Sequence, residues 1–383
     1  MRRPSGPVVL ACLGLVLAAC SGGEERAIDP SRPTSTGPTT TTLADIGPVS
    51  GCEGLGPAPI GGEVTYVSGQ RLFAVVPGGA PRCLLGVPPF GAAPAWGGKA
   101  DRVLLAPEGA QVGDKTFPLG LVREESAGWS QPTGTSVLIL RDGKLTKRRI
   151  DTGAFSDVSF LSRHDEAVYH PAGLHIVSVG VDAGDRYGMF LASNEGKDLE
   201  PVAVAETANH LVSPSWGHGG TLFFGAEHAG NPPGDRNHIH YRFNDPGELF
   251  KIPLGDGPVG KVLASPFDDL VASETGSCPG RDTQTVDLGQ ATSFTDDVPD
   301  VPVVTVDVGA AETEPVGWLP DGRLVVLGRP DCQGPGTLWI VPVSPAGDPQ
   351  HLADGVESAA VRVPLPEPGA APFEAGGVQE VEA

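Results

Sequence analysis

Several things that would point to a function are scarce or missing in this chain. Basic residues are outnumbered, 26 Lys and Arg against 47 Asp and Glu, for a formal charge of −21. Such a balance argues against a nucleic-acid partner and against a folded domain lying flat on anionic lipid. No run of eighteen apolar residues occurs, so no segment reads as a membrane-spanning helix. No segment holds a 3.6-residue hydrophobic period, so almost no helix is expected. None of the six cysteines sits in a C-x-x-C pair, which leaves redox or metal chemistry at cysteine a weak reading. There is no G-x-S-x-G elbow and no room for the α/β domain that would carry one. There is no Gly-rich phosphate loop opening a helix. No cofactor is implied, and no catalytic residue is nominated.

What is present starts at the N-terminus. Arg2 and Arg3 precede an apolar stretch, Pro7 to Leu17. It falls short of the roughly 20 residues of a bilayer span and matches the apolar region of an export signal. The stretch ends Leu17-Ala18-Ala19-Cys20, then Ser21-Gly22-Gly23. This resembles the bacterial lipobox, in which the cysteine is acylated and becomes the first residue of the mature chain. Residues 1–19 are therefore expected to be a lipoprotein signal and Cys20 the lipidation site. The alternative is a plain secretory signal with a chance cysteine. The arginine pair raises a twin-arginine route, though Pro4 and Ser5 fit that motif poorly. Two or more acyl chains anchor a protein stably.

Residues 20–50 form a linker rich in Thr, Ser, Pro and Gly, including SRPTSTGPTTTTL. It cannot bury enough apolar surface to offset the entropy of ordering. Its threonines are open to O-glycosylation. Residues 365–383, again rich in Pro, Gly and Glu, read as a loose tail.

With Cys12 lost in the signal and Cys20 lipidated, Cys52, Cys83, Cys278 and Cys332 remain. An even number in an exported chain implies two disulfides with three possible pairings. Sequence neighbourhood favours Cys52–Cys83 and Cys278–Cys332.

The body, 51–364, repeats. Four tryptophans recur in PAWGGKADRVLLA, AGWSQPTGTSVLIL, PSWGHGGTLFFG and VGWLPDGRLVVLG, with weaker copies at Tyr169 and Ala264. Each copy is an aromatic or Pro start, a Gly-rich turn, then four to six strand-forming residues. A strand and turn follow some copies, as in GTLWIVPVSPAG from Gly336. Short strands between Gly, Pro, Asn and Asp turns indicate an all-β body. A unit of about 40 residues with four strands is the pattern of a β-propeller. Unit starts fall at Glu63, Pro94, Ala127, Val168, Leu211, Leu263 and Pro315, giving seven blades, or six if the short Pro94 and Ala127 units merge. The strand SAAVRVPLP from Ser358 has no blade of its own and is expected to complete the first blade and latch the ring. The tryptophans are expected to pack between blades.

GWLPDGRLVVLG with GTLWIVPVSPAG resembles the S-P-D-G-x-x-[IL]-x-[FY] and [IL]-[WY]-x-[VM] repeats of TolB-like (WD40-like, PD40) propellers. His218 stands where that motif has its proline, and Phe267-Asp268 replaces a cleaner match. The chain as a whole resembles a TolB-like propeller lipoprotein of actinobacterial type, without the helical N-terminal domain of TolB itself.

Histidine forms the main candidate cluster. His238 and His240 fall on one face of a strand, and a hairpin would bring His228 alongside as a three-nitrogen zinc set. The competing reading, which is preferred, is a polar loop around Asn231-Pro232-Pro233-Gly234. His164, His170 and His175 form a second group, with His170 at a repeat position and so structural. TDDVPDVP from Thr295 is acidic but lacks the D-x-D-x-D-G spacing of a calcium loop. Paired carboxylates for glycoside hydrolysis need only meet in space, so the sequence leaves them open. Two functions follow. One is a membrane-anchored, extracytoplasmic binding or scaffolding module with an envelope protein or glycan partner. The other is an exported glycan hydrolase or lyase. Buried acids or histidines at the central channel would favour the second.

Overall fold

A computed structural model describes residues 49–364, apart from 88–93, 99, 106–108, 114, 119–125, 132, 198–200, 207–209, 228–237, 243–248, 254–257, 296–297 and 333. All belong to one compact unit, Leu43–Ala383. Cys20, the signal, the linker up to residue 48 and the 365–383 tail lie outside the described residues.

Seven antiparallel four-stranded sheets follow one another along the chain. Blade 2 begins with Pro94–Gly97, blade 3 with Ser126–Trp129 and blade 4 with Arg163–Tyr169. Blade 5 begins with His210–Trp216, blade 6 with Val259–Ala264 and blade 7 with Glu312–Trp318. Each of these strands contacts its counterpart in the next blade, so they form the inner ring. Blade 1 is completed by both ends of the chain. Ser358–Arg362 is its inner strand, paired to Glu63–Ser68, with Arg71–Val75 and Arg82–Gly86 outside. The ring closes through this strand, which also contacts the inner strands of blades 2 and 7. The Pro94 and Ala127 units remain separate sheets, which settles the blade number at seven. Among the described residues the only helices are two three-residue 3-10 turns, His218–Gly220 and Leu288–Gln290.

Blades 4 and 6 begin several residues before the Val168 and Leu263 starts expected from the repeat. The aromatic-turn signal marks where an inner strand ends. The strand before it carries charges, as in RHDEAVY and VGKVLA, and so has no apolar signature of its own.

The core is divided among the gaps between blades. Seven apolar clusters exist for seven gaps, and each draws residues from two neighbouring blades. Ile176 faces blade 3, while Val177 next to it faces blade 5. Leu324 and Val325 divide in the same way between blades 6 and 1. A strand buried on both faces must be apolar at every position. That is why the second strands read as unbroken runs such as VLIL and LVVLG. Each fully buried Phe or Leu, such as Phe190 and Phe224, contributes about 1.5–3 kcal/mol of burial.

The four recurrent tryptophans fasten blades 2, 3, 5 and 7 each to the blade before it. Trp96 donates its indole N–H to Thr65 Oγ1 at 2.8 Å, Trp129 to the Ala95 carbonyl at 2.9 Å, and Trp318 to the Leu263 carbonyl at 3.0 Å. Trp216 meets His170 of blade 4 edge-on, with ring centroids 4.5 Å apart. In the LPDG turn after Trp318, Gly322 has φ 79°. That left-handed conformation is open to glycine at little cost, and the Gly322 N–H closes the turn onto the Leu319 carbonyl.

Both favoured cysteine pairs are joined. Cys52–Cys83 ties the segment leading into blade 1 to its outer strand, with Cα atoms 4.6 Å apart. Cys278–Cys332 ties blade 6 to blade 7, with Cα atoms 5.8 Å apart.

Candidate functional site

Several buried or half-buried acids lie on the inner strands or on the strand beside them. Each is engaged by a neighbouring blade or loop. Glu166 of blade 4 accepts from the Ser213 N–H of blade 5 at 2.8 Å, and burial raises its pKa. Glu312 of blade 7 accepts from the N–H groups of Gly280 and Arg281 at 2.7 and 3.1 Å. Burial also raises the Glu274 pKa, opposed by Arg281. Its carboxylate pairs with Arg281 and accepts from the Lys261 N–H. Ser213 sits at φ 52° in a bulge of its strand, and its hydroxyl joins the Val262 N–H and carbonyl of blade 6. These groups satisfy backbone polar atoms where strands bend. Glu312 also lies against Cys278 and Cys332, but those sulfurs are bonded to each other and are not thiolates able to take a metal.

The histidines divide as follows. His228 lies outside the described residues. His238 and His240 occupy alternate positions of the blade 5 strand His238–Arg242, opposite Ala226 and Phe224. Nothing further is described of that set, so the zinc reading of the three falls outside the described residues. Of His164, His170 and His175, the last two meet edge-on with ring centroids 6.2 Å apart, and His164 lies elsewhere in blade 4. The His164 ring is buried against Phe160, with Nδ1 2.8 Å from Ser178 Oγ. His170 Nδ1 accepts from the Ala172 N–H within the turn that follows Tyr169. Burial lowers the pKa of each imidazole to about 4. The structural reading of His170 is thus the observed one. The acidic run after Thr295 begins in a short hairpin, Phe294–Thr295 with Val298–Pro299, and its Asp296 and Asp297 lie outside the described residues.

A polar cleft opens between blades 3 and 4, with a volume of about 380 Å³. One wall is blade 3. Ser136 stands opposite Arg149, and Lys147 opposite Ser156, in adjacent strands. Lys147 and Arg149 are two residues apart in one strand, so they share a face about 7 Å apart. Gln131 and Thr133 border the same wall from the turn after Trp129. The other wall is the blade 4 turn carrying Asn194, Glu195 and Lys197. Lys147 Nζ spans the cleft to Asn194 Oδ1 at 2.8 Å. Partial burial lowers the Lys147 pKa, opposed by the nearby Glu195 carboxylate. Arg149 forms a two-point exposed pair with Asp151, at 3.0 and 2.7 Å. Gln131 Oε1 is buried and has no hydrogen-bond partner among the described residues.

These residues carry no motif, and the repeat reading absorbed most of them as turn and strand. One signal was available. The strand Lys144–Arg149, KLTKRR, holds four cations in six residues, in a chain of net charge −21.

No protein-family model matches the chain, and no curated protein sequence matches it. Solved structures do. The tricorn protease superposes with a TM-score of 0.52 at 12% identity, covering 83% of this chain but only 36% of its own. A putative TolB from Agrobacterium tumefaciens gives 0.45 at 13% identity over 80% of this chain and 99% of that one. An oligogalacturonate lyase in complex with manganese gives 0.49 at 11%, over 76% and 83%. At these identities the likeness is one of fold, and a fold hosts many functions. The chain is an all-β propeller of seven four-stranded sheets, and its likeness to the tricorn protease is one of fold alone.

Proposed function

We propose that this chain is a lipid-anchored binding module of the cell envelope, held at the extracytoplasmic face of the membrane by acylated Cys20. The observation that carries the binding role is the cleft between blades 3 and 4. It is a concave polar site on a rigid ring, lined by hydroxyls, amides and cations. Preformed clefts of this kind bind without a large ordering cost. The two disulfides suit an oxidising compartment, and the lipobox suits anchoring. The glycan hydrolase or lyase is the weaker reading. The acids and histidines described near the inner ring are engaged in hydrogen bonds and an ion pair between or within blades, and a catalytic pair needs a group presented to substrate.

The test is photo-crosslinking in intact membranes, with a photoreactive residue in place of Ser156 and a control in place of Val304 on the outer edge of blade 6. Both positions are exposed. Capture of a discrete envelope component from position 156 and not from 304 supports the role. Equal or no capture from both overturns it.

A further inference from the structure

The binding reading leaves the chemical class of the ligand open, and the cleft contains enough to name it. Three of its lining side chains are cations, Lys147, Arg149 and Lys197, against one carboxylate, Glu195. The protein as a whole is strongly acidic, so a local excess of positive charge is out of keeping with its surroundings. The cations also come from two blades, so they converge across a gap rather than run along one exposed face. Asn194 fixes the Lys147 ammonium in place through its Oδ1 at 2.8 Å and its carbonyl at 3.4 Å. The Tyr169 ring lies 5.8 Å from that ammonium. An ammonium held this way has surrendered part of its hydration, as its lowered pKa records. An anionic partner would offset that cost.

A second observation points to more than charge. Gln131 lines the cleft, and its buried Oε1 lacks a hydrogen-bond partner among the described residues. A buried carbonyl acceptor left without a donor is destabilising. A fully deprotonated oxoanion cannot supply the donor, but a hydroxyl can. Around it the wall offers further hydroxyls, from Thr133, Ser136 and Ser156, which both donate and accept. No aromatic side chain is among the lining residues, so the flat apolar face of a neutral sugar has no platform there.

Resting on the binding reading above, we infer that the cleft between blades 3 and 4 takes an acidic polyol, an oxoanion carried on a hydroxyl-bearing chain, with the anion at Lys147 and Lys197 and a hydroxyl at Gln131. Arg149 contributes by exchanging its exposed Asp151 partner for the ligand, since such a surface pair is worth little.

The experiment is calorimetric titration of the full chain in detergent with glycerol phosphate, galacturonate, sulfate and glycerol at low and high salt. Binding is expected to rank the two acidic polyols above sulfate, with glycerol undetected, and to weaken with salt. Lys147→Gln is expected to weaken every anion about tenfold or more, as loss of a charged hydrogen bond does. Gln131→Leu is expected to weaken the acidic polyols and leave sulfate, which has no hydroxyl, unchanged. Lys115→Gln, on the outer strand of blade 2, serves as a control and should change nothing. Circular dichroism of each variant confirms folding. Glycerol binding as tightly as glycerol phosphate overturns the anion assignment. Sulfate matching both polyols, with Gln131→Leu silent, overturns the polyol assignment. No binding by any of the four overturns the ligand class, while crosslinking from position 156 would still stand or fall separately for the binding role. Equal binding of anionic phospholipid vesicles by wild type and Lys147→Gln would assign any membrane contact to surface charge and not to the cleft.

Discussion

Arg362, the last residue of the closing strand, donates from Nη1 to Glu63 Oε1 at 2.7 Å, and neither side chain is more than 1% exposed to solvent. The same guanidinium donates from Nε to the Ala100 carbonyl of blade 2 at 2.8 Å and from Nη2 to the Gly56 carbonyl. It lies over the Trp96 ring, 4.4 Å from the centroid. One side chain thus joins the C-terminal strand, the incoming N-terminal segment and the second blade. Glu63 is held from its other oxygen by Arg82 at 2.7 Å. Removing one partner of a buried pair strands the other. Arg362→Leu is expected to lower unfolding free energy by about 3–5 kcal/mol. Urea titration checks this; a loss below about 1 kcal/mol would show that the ring closes without the pair.

The tryptophans make a second set of fastenings. Trp318 is 3% exposed, and its removal leaves a void between blades 6 and 7. Trp318→Ala should cost about 3–5 kcal/mol. Trp318→Phe keeps most of the packing and loses the bond to the Leu263 carbonyl, so about 1–3 kcal/mol is expected. A Trp318→Phe midpoint equal to that of the wild type would contradict the separate role given to the indole N–H, and equal midpoints for the two variants would contradict the role given to packing.

Each disulfide closes a loop, with cysteines 31 and 54 positions apart. In the chain-entropy account these contribute about 3–4 kcal/mol apiece. Cys278→Ala with Cys332→Ala should lower the melting temperature measurably, and the unfolded, unreduced wild-type protein should release no thiol from these four cysteines. A thiol count above zero there, or a peptide joining Cys83 to Cys278, would contradict the pairing.

The buried histidines set a pH dependence. In the folded state His164 and His170 have pKa values of about 4, against about 6.5 when unfolded. Above pH 6.5 neither state binds the proton. Between 6.5 and 4 the unfolded state binds it and the folded state does not, so stability falls as pH falls through that window and levels below about 4. Glu166 and Glu274, with raised pKa values, act in the opposite direction at the acid end. Denaturant titrations at pH 7.5, 6 and 5 should show the loss, and the double variant His164→Gln, His170→Gln should show a flatter profile. An unchanged slope in the double variant would contradict burial of neutral imidazoles.

The propeller was legible because its repeat is physical. A Trp at the end of an inner strand must reach back to the preceding blade, a left-handed Gly must close the next turn, and a second strand buried on both faces must be apolar throughout. Trp129, Trp318 and Gly322 carry that message in the sequence. The starts of blades 4 and 6 did not show, because Arg163, Asp165 and Lys261 lie in inner strands whose burial is partial. The cleft was least visible. Gln131 and Asn194 come from turns of separate blades, 63 positions apart in the chain, and only closure of the ring sets them facing one gap. The basic strand around Lys147 was a sign in one dimension of something that exists in three.

The central claim is that this propeller holds a ligand and does not transform it. The most direct measurement incubates the full-length protein with the solubilised envelope glycan fraction, recovers what it retains, and compares masses before and after. The account predicts retention by the wild type, weaker retention by Lys147→Gln, and release by salt of material unchanged in mass. New reducing ends or unsaturated products, formed by the wild type and rising with time, would contradict it.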